Sequence, residues 1–380
     1  QAFLTKFPKA RWHQYEAANR DNARAGAIAA FGEPLNSYCD FSKAKVILSL
    51  DADFTYSGPG SLRNAHDFAA GRRIRDGKKT SNRLYTLEST PTATGSISDH
   101  RLAIGTPQIE ALAMKIAEGL GLSWQGPNIP SDFTSHDVWI DALVADLKAN
   151  HGASLVLAGD QQSPAVHALA HAINKVLGNV GQTIHYTEPI EVDCVGQLES
   201  LTELIGDMNS GQVDALIVLG GNPVYDAPVD LDFAAALDNV GFRAHLGAYA
   251  NETSALSHWH IPESHYLEAW SDIRSHTGLA SIVQPLIRPL YKTKSAHDLL
   301  ALMTDQPGVP DREIVSKYWE SQGLDAISWR RSLHDGFIEG ATSAAKAPQL
   351  VNLSLPTSFG RSMAEDDLEL HFRPDPMVWD

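Results

Sequence analysis

The chain has 380 residues, 43% of them hydrophobic, and a formal net charge of −16. That size allows two or three packed domains, and the acidity argues against a nucleic-acid or anionic-membrane role. Cys39 and Cys194 are the two cysteines and form no CxxC, which excludes a four-cysteine iron–sulfur cluster or a cysteine-rich zinc site in this segment. A disulfide between them depends on geometry that a sequence does not carry. No apolar run approaches the roughly 20 residues needed to span a bilayer, and no signal peptide is visible. The start, QAFLTKFPKARW, and the stop, PDPMVWD, read as cuts through a longer protein, so absent targeting signals say little about the parent.

In chain order, KVILSL (45–50) and RLYTL (83–87) read as buried strands. TPQIEALAMKIAEGLG follows as an amphipathic helix: Thr106 caps, Pro107 suits the first turn, Ile109, Leu112, Ala113, Ile116 and Leu120 share a face, and Gly121 closes it. The Gly/Pro/Ser-rich stretch 121–137 is the best boundary. SLVLAG (154–159), a helical stripe of Val166, Leu169, Ile173 and Leu177, TIHYTE (183–188), LIVLGG (216–221) and FRAHLGAY (242–249) continue the rhythm. The runs are near-continuously apolar, as parallel strands covered on both faces are. The reading is α/β, with two doubly wound, mostly parallel lobes at 1–126 and 127–300 and a partial C-terminal segment at 301–380. LVNLSLP and LELHF lie near the end of that segment.

An internal repeat sets ILSLDADFTYSGP (47–59) against LIVLGGNPVYDAP (216–228); Tyr56 matches Tyr225, Pro59 matches Pro228, and DFAA recurs at 67–70 and 232–235. Leu50 and Leu219 then fall at equivalent strand ends. Each lobe would offer a ligand crevice at the carboxyl ends of its strands. The strand–Gly220-Gly221-Asn222-Pro223 turn, followed by Glu252-Thr253 after the next strand, resembles the bis-molybdopterin-guanine-dinucleotide oxidoreductases of the dimethyl-sulfoxide-reductase family. So do the run YTLESTPTATGSISDHRLAIGTPQIEALAMKIA and the stretch AINKVLGNVG (172–181). A narrower and more specific match is SHWHIPESHYLEAWSDIRSHTGLASIVQPLIRPLYKTKSAHDLL (257–300), with YEAANRDNARAGA (15–27) and residues 41–73. These resemble the molybdopterin-oxidoreductase-like part of the large iron–sulfur subunit of Alternative Complex III.

The resemblance implies a place in a quinol-oxidising assembly on the periplasmic side of the bacterial inner membrane. Implied partners are a ferredoxin-like iron–sulfur region of the same subunit, lying beyond the residues here, cytochrome c subunits and quinol-oxidising membrane subunits. It also implies two pyrophosphate loops. The second keeps Gly220, Gly221, Asn222 and Pro223; the first reads Asp51-Ala52-Asp53-Phe54, where like charge would repel a diphosphate unless a metal or an arginine intervened. Arg63, Arg72, Arg73 and Lys43 lie nearby in sequence. Asp51 and Asp53 are weighed as magnesium ligands and, preferably, as solvated or helix-capping carboxylates. Where the family supplies a molybdenum or tungsten ligand, this chain has Tyr15-Glu16-Ala17-Ala18-Asn19, without a thiol.

His258, His260, His265 and His276 invite a zinc reading, since His258 and His260 would share a face of an extended strand. The 16 histidines are scattered, however, and packing or contact with the iron–sulfur region is preferred. Trp259, Tyr266 and Trp270 suit an interface. No G-x-S-x-G elbow supports a hydrolase, SGPGS (57–61) reads as a turn, and no G-x-G-x-x-G follows a strand. The expectation is a scaffold with no catalytic or metal-ligating residues of its own. Gly220–Pro223 would persist as a vestigial loop and Glu88 would be the one residue placed to receive a guanine or ribose. Molybdopterin guanine dinucleotide is expected to be lost, and iron–sulfur clusters to lie in the region beyond. The alternative is an active molybdenum or tungsten bis-pterin enzyme, supported by the intact loop and Glu88.

Overall fold

A computed structural model describes residues 2–377, apart from 76, 78, 79, 127, 130–135, 193, 356–367 and 376. Its elements begin with α1 (Ala2–Lys6), α2 (Asp21–Phe31), β1 (Asn36–Cys39), β2 (Val46–Leu50), α3 (Ser61–Arg72), β3 (Arg83–Glu88), α4 (Ala93–Ser96), β4 (His100–Ala103) and α5 (Thr106–Gly119). The middle holds α6 (Asp137–Ala149), β5 (Ser154–Ala158), α7 (Pro164–Val176), β6 (Ile184–Thr187), α8 (Gln197–Asn209), β7 (Ala215–Leu219), α9 (Pro223–Asp226), α10 (Phe233–Asp238), β8 (Phe242–Gly247), α11 (Glu252–Ala255) and β9 (Trp259–Pro262). The remainder are β10 (Ser271–Arg274), β11 (Ala280–Val283), α12 (Ala296–Met303), α13 (Asp311–Ser321), α14 (Ala326–Asp335) and β12 (Ala345–Lys346). None of the described helices is long and apolar enough to cross a membrane.

The chain is α/β, and its contacts divide it into two compact units, 18–194 with 344–380 and 1–17 with 195–343. The first of these is built on a four-stranded parallel sheet of order β4-β3-β2-β5. β2 is buried along its whole length, so its unbroken apolar run has the physical cause expected of a central parallel strand. α5 buries Ile109, Leu112, Ala113 and Ile116, the stripe read from the sequence. Gly105 rather than Thr106 occupies its cap position, and Gly121 turns left-handed at φ 82° after its end. Ser163 caps α7, its hydroxyl accepting from Val166 N at 3.4 Å. α2 packs on α7 so closely that a Cβ on Gly26 would overlap His167 Cβ.

The expected boundaries at 126/127 and 300/301 are not where the contacts divide. β5 pairs in parallel with β2, Val46 opposite Ser154 through Leu50 opposite Ala158. The Gly/Pro/Ser-rich stretch therefore joins α5 to α6 within one unit, and much of it lies outside the described residues. β6, expected to be parallel, pairs antiparallel with β1 and β12 in a separate small sheet. Pairing with β12 carries residues beyond 344 back to this unit, so the C-terminal segment is no element of its own.

The second unit holds a three-stranded parallel sheet, β7-β8-β9. α8 and α10 contribute Leu201, Leu204, Met208, Phe233 and Leu237 to its core. β7 is an edge strand and only half-buried, unlike the doubly covered strand its composition suggests. An antiparallel hairpin, β10-β11, forms a further cluster with α13 and α14 around Ile282, Val315, Trp319 and Trp329.

Within the first unit, His171 Nδ1 and Tyr186 Oη meet at 2.9 Å in the core. Burial pushes His167 down to about 4 and His171 down to about 3. Each therefore contributes stability that is complete above the ordinary histidine value of 6.5 and is lost as pH falls toward the folded value. Denaturant unfolding should give a steeper loss below pH 6.5 for the natural chain than for a His167→Gln/His171→Gln variant. Gly26→Ala should destabilise by about 1–3 kcal/mol, because two helix backbones must part to admit the methyl; an unchanged denaturation midpoint would contradict that packing.

Candidate functional site

β7 ends at Leu219 and hands the chain to Gly220 and Gly221, left-handed at φ 70° and 71°. A Cβ at either would meet no atom within 4 Å, so conformation rather than space calls for glycine there. Gly220 N donates to Leu246 O at 2.8 Å, tying the loop to β8. Asn222 then acts as a clamp: its Oδ1 accepts from Thr253 N at 3.1 Å and Thr253 Oγ1 at 2.7 Å, while its Nδ2 donates to Glu252 Oε2 at 2.7 Å. Thr253 Oγ1 in turn accepts from Val224 N at 3.2 Å. The sequence pairing of GGNP with Glu252-Thr253 is thus a direct contact. Among the described residues, no acceptor meets the N–H of Gly221, and the Asn222 N–H faces the Asp226 carboxylate.

The same device stands at the end of β2. Asp51 N donates to Leu87 O at 2.7 Å, Asp53 Oδ1 accepts from Thr94 N at 2.9 Å, and Thr94 Oγ1 accepts from Thr55 N at 3.3 Å. Asp51, Asp53, Thr55 and Thr94 correspond to Gly220, Asn222, Val224 and Thr253. Thr92 and Asn251 likewise cap α4 and α11, accepting from Gly95 N and Ser254 N. Three bonds of the two turns therefore correspond, while the bonds of Asn222 to Thr253 Oγ1 and Glu252 have no counterpart at Asp53. Thr94 and Thr253 were not among the residues singled out as ligands; their signal was the shared spacing in TAT and NET.

The two loops differ in charge. Asp53 is a capping carboxylate, as expected. Asp51 is not solvated: it is 1% exposed and keeps the left-handed turn at φ 59°, a conformation that favours glycine. Its Oδ1 accepts from Arg373 at 3.0 Å and its Oδ2 from Gln162 at 3.0 Å and Ser89 at 3.3 Å. The countercharge is this distant arginine, not Arg63, Arg72, Arg73 or Lys43. Glu88 is equally engaged: it is buried, paired with Arg101, and accepts from Thr92 Oγ1 at 2.6 Å. A carboxylate so committed has no side open to a guanine or ribose in this arrangement.

Beside Gly220–Pro223 lies a cavity of about 320 Å³, lined among others by Trp12, Tyr15, Glu16, Asp226 and Phe233. The segment around Trp12 is fastened by Arg11 to Glu203 and Asp207, at 2.6 and 2.9 Å, and by His13 to Ser200 at 2.9 Å. Burial and then the Glu16 charge hold the Asp226 carboxyl above the usual range. Burial, Asp226 and Glu16 raise the Tyr15 phenol. The Asn222 amide lowers Glu252. A backbone shaped to receive an anion is thus bordered by carboxylates, which oppose one.

The histidines at 258–265 go to separate partners. His258 Nδ1 accepts from Arg243 N at 3.0 Å, His260 Nδ1 meets Ser254 Oγ at 3.0 Å, and His265 Nδ1 accepts from Leu267 N at 3.2 Å. Among the described residues no group of three or more His, Cys, Asp or Glu side chains is gathered to hold a metal. Trp259 is 64% exposed and Tyr266 and His265 are also on the surface. Trp270 is half-buried, packed against the Trp319 cluster with Arg312 over its ring at 5.4 Å.

No protein-family model matches the chain. It is 26% identical over 361 residues to the menaquinone reductase molybdopterin-binding-like subunit of Nitratidesulfovibrio vulgaris, covering 83% of this chain and 50% of that protein. The chain thus spans about half the length of this curated relative. Its fold is also similar to that of acetylene hydratase from Pelobacter acetylenicus, at a TM-score of 0.61 and 13% identity, over 91% of this chain and 58% of the other.

Thr253→Val should cost about 1 kcal/mol by orphaning the Val224 N–H and leaving Asn222 Oδ1 only the residue 253 backbone N–H. Hydrogen exchange at Val224 should quicken while β2 and β3 amides are unaffected. Equal protection in both proteins would show that the clamp does not hold the loop.

Proposed function

We propose that this chain is a molybdopterin-oxidoreductase-like scaffold within an iron–sulfur subunit of a quinone-linked respiratory complex, and that it carries no molybdenum chemistry of its own. The observation that carries the reading is Asp51. A buried carboxylate, already neutralised by Arg373 and held by Gln162 and Ser89, stands where the matching turn of the second sheet has Gly220. The named relative, a molybdopterin-binding-like subunit of a menaquinone reductase, supports the quinone-linked context. At the finer level the reading is an Alternative Complex III subunit on the periplasmic face of the inner membrane. Its partners would be the ferredoxin-like iron–sulfur region, cytochrome c subunits and quinol-oxidising membrane subunits; this rests on the 257–300 resemblance.

The residues nearest the Gly220–Pro223 loop would fit a dinucleotide in backbone shape and oppose it in charge. The free Gly221 N–H favours a phosphate, whereas Asp226, which already takes the Asn222 N–H, and Glu16 and Glu252 disfavour it. Loss of several charge-assisted bonds, each worth roughly 1.5–3 kcal/mol, is enough to abolish tight pterin binding. Full-length protein purified from its own cell should contain far less than one molybdenum or tungsten per chain and no pterin fluorescence. Stoichiometric metal and pterin would establish the active-enzyme alternative instead. In the intact complex, Trp259→Ala/Tyr266→Ala should weaken subunit association while leaving this chain folded; unchanged association would remove these exposed aromatics from the interface.

A further inference from the structure

The segment Leu368–Asp375 lies in the same unit as the four-stranded sheet and meets it at the carboxyl ends of its strands. Glu369 Oε2 accepts from Thr106 N at 3.2 Å, at the start of the fourteen-residue α5. His371 Nε2 stands 3.3 Å from Thr106 Oγ1, 3.5 Å from Ser89 Oγ and 3.2 Å from Glu369 Oε1. Arg373 reaches Asp51 Oδ1 at 3.0 Å, and Asp375 pairs with Tyr56. Gln162, fully buried, donates its Nε2 to Asp51, while its Oε1 meets no donor among the described residues.

The alternation of this segment is inverted. Glu369, His371 and Arg373 point inward, whereas Leu368, Leu370 and Phe372 are 97%, 78% and 76% exposed. Hydrophobic burial would drive the opposite choice. What holds the segment is therefore polar recognition, side chain by side chain. Crevices at the carboxyl ends of parallel strands are where such folds take ligands, and helix N-termini take anions. Here the anion at the α5 N-terminus is the chain's own Glu369.

We propose that residues 368–375 are an intramolecular ligand of the first sheet's crevice, with the Glu369 carboxylate standing in for a phosphate at Thr106 and Arg373 neutralising Asp51, so that the crevice is closed to phosphate-bearing small molecules. The proposal stands on this geometry and is independent of the respiratory reading above.

The test uses the full chain and inorganic pyrophosphate. In a Glu369→Gln/Asp51→Asn/Arg373→Gln variant the first two changes keep the side-chain shapes, the third shortens the side chain, and all three remove the charges. Hydrogen exchange at the Thr106 amide, which donates to Glu369, should quicken at least about tenfold in it. Millimolar pyrophosphate should then protect the Thr106 amide in the variant and leave the natural chain unaffected. Unchanged exchange in the variant would overturn the proposal, as would pyrophosphate protection of Thr106 in the natural chain or its absence in the variant. If the triple variant does not fold, Glu369→Gln alone carries the test, with the same expected loss of Thr106 protection and the same overturning result.

Discussion

The architecture depends on a small clamp made twice. In each parallel sheet a strand ends, the chain turns left-handed, and an Asx side chain two residues on accepts the N–H of a threonine at the start of a short helix beyond the neighbouring strand. That threonine's hydroxyl accepts a backbone N–H from the first loop. Two loops that would otherwise carry unpaired backbone groups at a sheet edge thereby satisfy each other. The clamp fixes the rim of each crevice before any ligand is considered. It explains how the fold can persist while the chemistry at the rim changes, since none of its bonds involves a cofactor.

What sits on each rim then diverges. In the unit containing β7 the turn is two open glycines beside an acidic cavity. In the unit containing β2 the corresponding place is filled by protein: Asp51, Gln162, Ser89 and the arriving Arg373. A buried carboxylate is tolerated only where countercharge and hydrogen bonds are complete, and here they come from three separate stretches of chain. The acid that looked like an obstacle to a diphosphate is thus also a docking point for the chain's own later residues.

Much of the fold was legible because apolar runs and helical stripes are local signals. β2, β3, β5, β7 and β8 fall where the runs predict them, and α5 and α7 bury the stripes read from Ile109 and Val166 onward. Periodicity says that a strand is buried, not which strand lies beside it. For that reason the apolar runs alone misplace β5 relative to its partner β2 and give β6 the wrong direction of pairing. A Gly/Pro-rich stretch likewise marks a turn without saying whether it separates domains. The partner of Asp51 was illegible for a related reason: Arg373 is 322 residues away, and no local pattern announces a contact at that separation. The clamp threonines lay in plain view, but a lone threonine after a strand carries little information until its counterpart in the other sheet is set beside it.

The Asp51–Arg373 pair also constrains how this chain can change over evolutionary time. Replacing Asp51 by glycine alone would relax the left-handed turn yet strand a partly buried guanidinium and leave Gln162 without its acceptor. Replacing Arg373 alone would leave the buried aspartate with neutral partners only. Each single step is disfavoured although the double change need not be, which is sign epistasis rooted in electrostatics. A glycine turn in place of this pair then requires coordinated substitutions at positions 322 residues apart.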